Sequence, residues 1–348
     1  MSKVPISEVK PGMVVEKPVY SPIDNKLLLT YGTRLQESMI KKLKSIRIKE
    51  LEIADQYTIF VKPIEKMAVS LKDTYEHVIR KYSSEQLAGN LTDDMVDIIR
   101  MVKNTVSKIC LNIDILELCF QMKVLNDNRL FKHAIHTSVF SGIVAGALDL
   151  KDDMFDIIVG GLLHNIGCVE MPFLIGLEKR KPQEELLWKE HPSYGYYFSL
   201  QQNISRSIAE IILQHHENWD GTGYPKQLKG EAIALGARIV NVCSMVSHHI
   251  HFEHMQPYES MEYLYCGSNI FFDPKIVDTF ISTITLYPLG ALVRLTTDEV
   301  GIISNVRYNR GPRPIVTVYF NRFNKPLSEP TKIDLGKERT IFIKEILD

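Results

Sequence analysis

Paired cysteines are missing from this chain. Its 348 residues include five, Cys110, Cys119, Cys168, Cys243 and Cys266, an odd and scattered set with no CxxC spacing. That pattern excludes a disulfide framework and a thiolate zinc site, and it suits a reducing cytoplasm. Long apolar runs are missing too. The most apolar stretches, 139–148 and 157–163, are short and broken by glycine, and residues 1–15 hold no apolar core of a secretory signal. No segment is expected to span a membrane. Charge of one sign is lacking as well: charged residues make up 24% of the chain, yet the formal net charge is -1. This leaves no electrostatic footprint for nucleic acid and no polybasic membrane anchor.

What is present divides by pattern. Residues 1–62 read as a small β-rich module, with short apolar runs at Met13–Val15, Leu27–Leu29 and Leu51–Ile53 punctuated by Pro11-Gly12, Asp24-Asn25 and Gly32. A short helix from near Glu37 to Lys44 places Ile40 and Leu43 on one face. Residues 63–125 read as a helical linker in which Val96, Ile99, Val102, Val106 and Ile109 form an apolar stripe after the acidic start Thr92-Asp93-Asp94. A large helical domain follows over 126–286, with Asp152-Asp153 opening a helix whose apolar run 154–166 belongs in the core. Residues 287–348 return to strands at Ala291–Leu295, Val300–Ser304, Pro314–Phe320 and Thr340–Ile343, parted by turns that include Asn309-Arg310-Gly311, and suggest a small barrel or meander. The fold class is mainly α with small β-rich modules at both ends.

Of the eleven histidines, ten fall between His133 and His254. Imidazole is the commonest neutral metal ligand, and a helical core can gather His136, His164, His191, His215 and His216 from separate helices. Taken singly, each has the plainer reading of a half-buried polar side chain with a backbone partner. Neighbours on a helix project about 100° apart, so His215-His216 serves one ion best at a helix end, and 218–225 has the composition of such an end.

The run His215-His216-Glu217-Asn218-Trp219-Asp220-Gly221-Thr222-Gly223-Tyr224-Pro225 resembles the signature of the HD-GYP family. The resemblance extends upstream through His136-Thr137, Leu162-Leu163-His164-Asn165-Ile166-Gly167 and His191-Pro192, and downstream through Ala237-Arg238-Ile239-Val240 and Phe272-Asp273-Pro274. It covers about 132–280 and implies an HD-domain helical bundle. It also implies hydrolysis of cyclic-di-GMP at a two- or three-metal centre, often of iron or manganese, with His136, His164, His191, His215 and His216 at ligand positions. Diguanylate cyclases are partners that the resemblance suggests for the loop of Trp219, Asp220, Gly221, Gly223, Tyr224 and Pro225. Trp219 and Tyr224 have base stacking and core packing as open alternatives.

Three anionic positions of the family are changed. Asn165 stands where an aspartate bridges two metals, Ser244 where a second aspartate is expected, and Lys132 where a glutamate is expected; Cys168 replaces a phosphate-facing lysine. Two dications ~3.5–4 Å apart need carboxylate or hydroxide between them, which Asn165 and Ser244 do not supply. A full bi- or trinuclear centre is therefore not expected. His191, His215 and His216 remain able to hold one transition metal such as Fe, Mn or Zn, against the alternative of a decayed, packed relic. His248, one turn after Ser244, and Glu170, in the loop after His164, are possible compensating ligands. The expected function is cyclic-di-GMP signalling with weak or no hydrolysis; the alternatives are an active phosphodiesterase with substituted ligands and a non-enzymatic scaffold.

Overall fold

The structure is a computed structural model. It describes residues 2–22, 26–29, 33, 35–53, 62–82, 93–125, 128–175, 177, 179–284, 287, 289–305 and 313–347. Thr92 and the turns read at Asp24-Asn25, Gly32 and Asn309-Arg310-Gly311 lie outside the described residues. The chain forms two compact units, 1–69 and 70–348. It is mainly helical, with small β structure toward each end, and no described helix is long and apolar enough to cross a membrane.

In the first unit, β1 (Ser2–Pro5) pairs antiparallel with β4 (Glu50–Ile53), and β2 (Val19–Tyr20) with β3 (Leu27–Leu29). α1 (Glu37–Ser45) turns Ile40 and Leu43 onto Val9, Val15, Leu35, Leu51 and Ile53, and so closes a small core. α2 (Lys62–Tyr82) begins in this unit and passes into the second at residue 70.

In the second unit α3 (Asp93–Ile109) buries Met95, Ile98, Ile99, Val102, Val106 and Ile109, while Val96 is 38% exposed. Ile99, Val102, Val106 and Ile109 of the expected stripe thus face inward, and only Val96 falls off the face, where Met95 and Ile98 continue the i, i+3, i+4 spacing instead. α4 (Ile113–Leu125) leads to α5 (Asn128–Ala147), the central helix, buried along nearly all its length. Around α5 pack α3, α6 (Met154–Leu163), α10 (Leu235–His248) and α12 (Pro274–Thr283), with α11 at Pro257–Gly267. α6 is apolar on every side except Asp156, and eight of its residues are buried, which suits a helix enclosed by others.

The C-terminal strands β5 (Leu292–Leu295), β6 (Val300–Asn305), β7 (Ile315–Phe320), β8 (Pro326–Asp334) and β9 (Ile343–Leu347) form one antiparallel sheet in the order β8-β7-β6-β5-β9. Val293, Leu295, Ile303, Val316, Val318, Leu335 and Ile343 fill its core. The last strand begins where the reading at Thr340–Ile343 ends, its register fixed by pairing with β5 and by Arg294 donating to Glu345 at 2.8 Å. β8 has no apolar alternation to announce it. It is an edge strand of mostly polar residues, held by the β7 ladder.

Candidate metal and nucleotide site

Three helix ends converge. α6 stops at Leu163 and hands over to His164, Asn165 and a 3-10 turn, Ile166–Glu170. α7 (Pro182–Trp188) precedes α8 (His191–Gln201), which begins at His191. α9 (Arg206–Gln214) starts at Ser205, whose hydroxyl accepts the Ile208 N–H at 3.3 Å, and ends at His215-His216. The turn after His164 lies against the first turn of α8: a Cβ at Gly167 would run into the His191 carbonyl oxygen and sit 2.5 Å from Gly195 N. Only glycine permits that approach.

His164, His191 and His215 each donate Nδ1–H to the carbonyl three residues earlier, those of Gly161, Trp188 and Ile212, at 2.7 Å in every case. These bonds place the ring proton on Nδ1 and leave Nε2 a lone pair, the tautomer of a metal-ligating imidazole. His191 Nε2 and His215 Nε2 then face each other at 3.3 Å, two acceptors with no proton between them. Protonation does not relieve the contact, because burial pushes His191 down to about 3 and His164 to about 4, and drives His215 and His216 well below the usual imidazole range. A cation does relieve it. Among the described residues, His191, His215 and His216 are the group that brings three candidate ligand atoms within 4.8 Å of one another, and no carboxylate is in it. Three neutral nitrogens fit one transition ion such as iron or zinc.

The other sequence candidates take different places. His164 Nε2 is approached by Asn165 Nδ2 at 2.8 Å and by His133 Nε2 at 3.0 Å. His136 pairs instead with His251, Nδ1 to Nε2 at 3.0 Å, between the rings of Tyr82 and Phe140. His133 and His251 were not singled out in the sequence, where nothing shows which histidine of α5 faces α6. His133 Nδ1 lies 2.9 Å from Ser247 Oγ, whose hydroxyl is 3.0 Å from the His133 carbonyl it donates to. Ser244 Oγ donates to the Asn241 carbonyl at 3.0 Å, and Lys132 and Glu170 are exposed. His248 is half-exposed, 3.4 Å from Glu253 and stacked on Phe252. Cys168 is buried, and burial raises its thiol pKa.

The Trp219–Pro225 loop is clamped from beneath. Glu217 is buried, and its carboxylate accepts the Lys226 N–H at 2.6 Å and the Leu228 N–H at 2.9 Å, so this acid serves the loop. Asn241 Nδ2 donates to the Glu217 carbonyl at 2.7 Å. Asp220 Oδ1 accepts the backbone N–H and hydroxyl of Thr222 at 2.9 and 2.7 Å, Gly221 takes φ +88°, and the Tyr224–Pro225 bond is cis. A Cβ at Gly223 would run into Asn218 N and lie 2.5 Å from the His216 carbonyl oxygen. Tyr224 stacks on His216 with centroids 4.8 Å apart and planes 17° apart. Trp219 faces the Arg238 guanidinium at 5.6 Å, and Arg238 is paired at 2.7 Å with buried Asp273.

Comparison with known proteins identifies the domain that carries these residues. Residues 118–276 match the HD domain family model, and residues 292–348 match a KOW domain associated with HD domains. A cyclic di-GMP phosphodiesterase of Pseudomonas aeruginosa is 30% identical over 220 residues, covering 61% of this chain and 53% of the relative. The cyclic di-GMP phosphodiesterase response regulator RpfG of Xanthomonas campestris is 35% identical over 150 residues, 40% of each chain. A solved structure of an HD-GYP-type protein from Bdellovibrio bacteriovorus aligns over 80% of this chain and 97% of that one, at 20% identity and a TM-score of 0.44. The chain spans about half the length of the first curated relatives it matches. Residues 118–276 are an HD domain, and the two curated relatives named above are cyclic di-GMP phosphodiesterases.

Proposed function

We propose that this chain acts in cyclic-di-GMP signalling, binding the nucleotide at a histidine site that holds at most one transition metal and hydrolysing it weakly or not at all. The observation that carries this reading is the convergence of His191, His215 and His216 without a carboxylate among them. A bound ion there supplies Lewis acidity toward a phosphoryl oxygen. The chain's own residues orient the imidazoles through the Gly161, Trp188 and Ile212 carbonyls and keep them neutral by burial. Tyr224, stacked on His216 and with the Lys189 ammonium 5.6 Å from its ring centroid, is the ring that we assign to a purine base. The free state of all five cysteines supports placement in a reducing cytoplasm.

One observation favours a second reading, an active phosphodiesterase with substituted ligands: His133 brings a further imidazole nitrogen to 3.0 Å from His164, beside the altered position Asn165. Incubating purified protein with cyclic-di-GMP and ferrous or manganous ion, and separating linear dinucleotide and GMP by chromatography, decides between the two. The proposed function expects product no higher than from a His215→Ala control. Sustained turnover above that control establishes the second reading in its place.

A further inference from the structure

The site is rich in neutral nitrogen, Lys189 Nζ lies 5.6 Å from the Tyr224 ring beside it, and a second cation, Arg180, reaches it from a segment that no motif marks. Arg180 lies between the His164 turn and α7. Its Cζ sits 3.8 Å from the centroid of the Trp188 ring, and that ring is 5.2 Å from the ring of His191. The Trp188 carbonyl also accepts the His191 Nδ1–H at 2.7 Å. One tryptophan thus seats both the guanidinium and an imidazole of the metal set.

The remaining contacts of Arg180 are weak. Nη2 donates to the Leu174 carbonyl at 3.4 Å, and Nη1 lies 3.9 Å from the half-exposed carboxylate of Glu185. Nε is buried and, among the described residues, has no hydrogen-bond partner. An unfilled buried donor on a charged group is costly, and it calls for a partner. Nε–H and the neighbouring Nη–H form the edge by which arginine grips a phosphate with two parallel bonds. The charge is also felt across the site. It helps hold the imidazoles of His191 and His248 down, and it opposes the rise that burial gives Cys168 and Tyr224.

We propose that Arg180, seated on Trp188, is the anion-binding residue of the histidine site and takes a pair of phosphodiester oxygens through Nε–H and Nη–H. It supplies the positive charge that Cys168, at the position where the family resemblance places a lysine, does not. The assignment rests on reading the site as a phosphodiester site. Relative to a second metal, a guanidinium has a practical difference: it brings fixed charge to the phosphate without needing a bridging carboxylate.

The test uses the full metal-loaded chain and two probes, inorganic phosphate read by thermal shift and cyclic-di-GMP read by calorimetry, with bound metal counted by elemental analysis. Wild type, Arg180→Gln and Arg180→Lys are compared. Phosphate should stabilise the wild type and not Arg180→Gln. The same variant should bind cyclic-di-GMP about 10- to 100-fold more weakly at unchanged metal content, and Arg180→Lys, with charge but no fork, should fall between. An Arg180→Gln protein that responds to phosphate like wild type overturns the assignment, as does a wild type with no phosphate response. Loss of metal from both variants would reduce Arg180 to a packing partner of Trp188 and overturn it too. If phosphate binds through Arg180 but cyclic-di-GMP does not bind, the nucleotide reading fails and the role of Arg180 stands.

Discussion

Acidification should unfold the helical domain well before it affects the rest of the chain. His133, His136, His164, His191 and His215 are buried, and desolvation is the leading cause that lowers each imidazole pKa, to about 4 for His164 and about 3 for His191. The folded domain therefore keeps them neutral, while in the unfolded chain each takes up a proton near pH 6.5. Below that value the unfolded state binds more protons than the folded state, so stability is intact above about pH 7 and falls as pH drops toward the folded values. Between pH 7.5 and 5.5 the loss is about 1.4 kcal/mol per histidine, or about 7 kcal/mol for the five, against a total stability of about 5–15 kcal/mol for a typical domain. Urea unfolding in the presence of chelator, followed by tryptophan fluorescence, reads this domain selectively because both tryptophans, Trp188 and Trp219, lie in it. The unit of residues 1–69 contains no histidine and no tryptophan, and limited proteolysis within it across the same pH range serves as the reference. A loss below about 2 kcal/mol would refute the argument, since it would mean that these imidazoles are hydrated or already charged in the folded state.

Three further outcomes are expected. Gly223→Ala forces a Cβ onto the backbone of Asn218 and His216, so it should lower stability by about 1–3 kcal/mol and open the loop, seen as a reduced urea midpoint and faster proteolysis near residue 223. Arg238→Ala leaves Asp273 buried without its 2.7 Å partner and should cost about 3–5 kcal/mol, and adding Asp273→Asn, which keeps the cap on the Lys275 N–H, should recover part of that loss in a double-mutant cycle. Thiol labelling under native conditions should modify exposed Cys266 quickly and spare Cys119, Cys168 and Cys243, whose thiols burial both shields and pushes up; labelling of Cys168 at a comparable rate would contradict its placement.

How much of this was legible depended on whether local chemistry or tertiary contact fixed each feature. Ile40 and Leu43 announce α1 because their spacing alone defines a face, and α6 declares itself by being apolar all round. The His215–Pro225 run is readable because a tight turn and adjacent imidazoles leave few residue choices. Other features are set across the fold. Only the rotation of α5 against α6 and α10 decides that His133 meets His164 and Ser247 while His136 meets His251. Glu217 lies in the signature yet serves the loop, a role visible only once Lys226 and Leu228 fold back over it. β8 is mostly polar, with Leu327 and Ile333 alone packing on the sheet's core, and its strand conformation rests on pairing with β7. Arg180 carries no local signal, since its position depends on Trp188.

If the histidine site takes a phosphodiester as proposed, its electrostatics favour holding that ligand over turning it over. Two divalent ions about 4 Å apart, at an effective dielectric of about 20, repel by about 16 kcal/mol, and bridging carboxylates are what normally offset that cost. Here the Asn165 amide faces His164 at 2.8 Å, Ser244 is engaged with the Asn241 carbonyl, and Lys132 adds positive charge at the surface. The buried acid nearest in sequence, Glu217, spends both oxygens on backbone N–H groups. A single dication bound by neutral imidazoles keeps its full charge, and the anion best placed to balance it is the ligand itself. On the proposed reading, substitutions that disfavour a second metal strengthen the attraction of a single bound ion for a phosphate, and such a site gains occupancy as it loses rate.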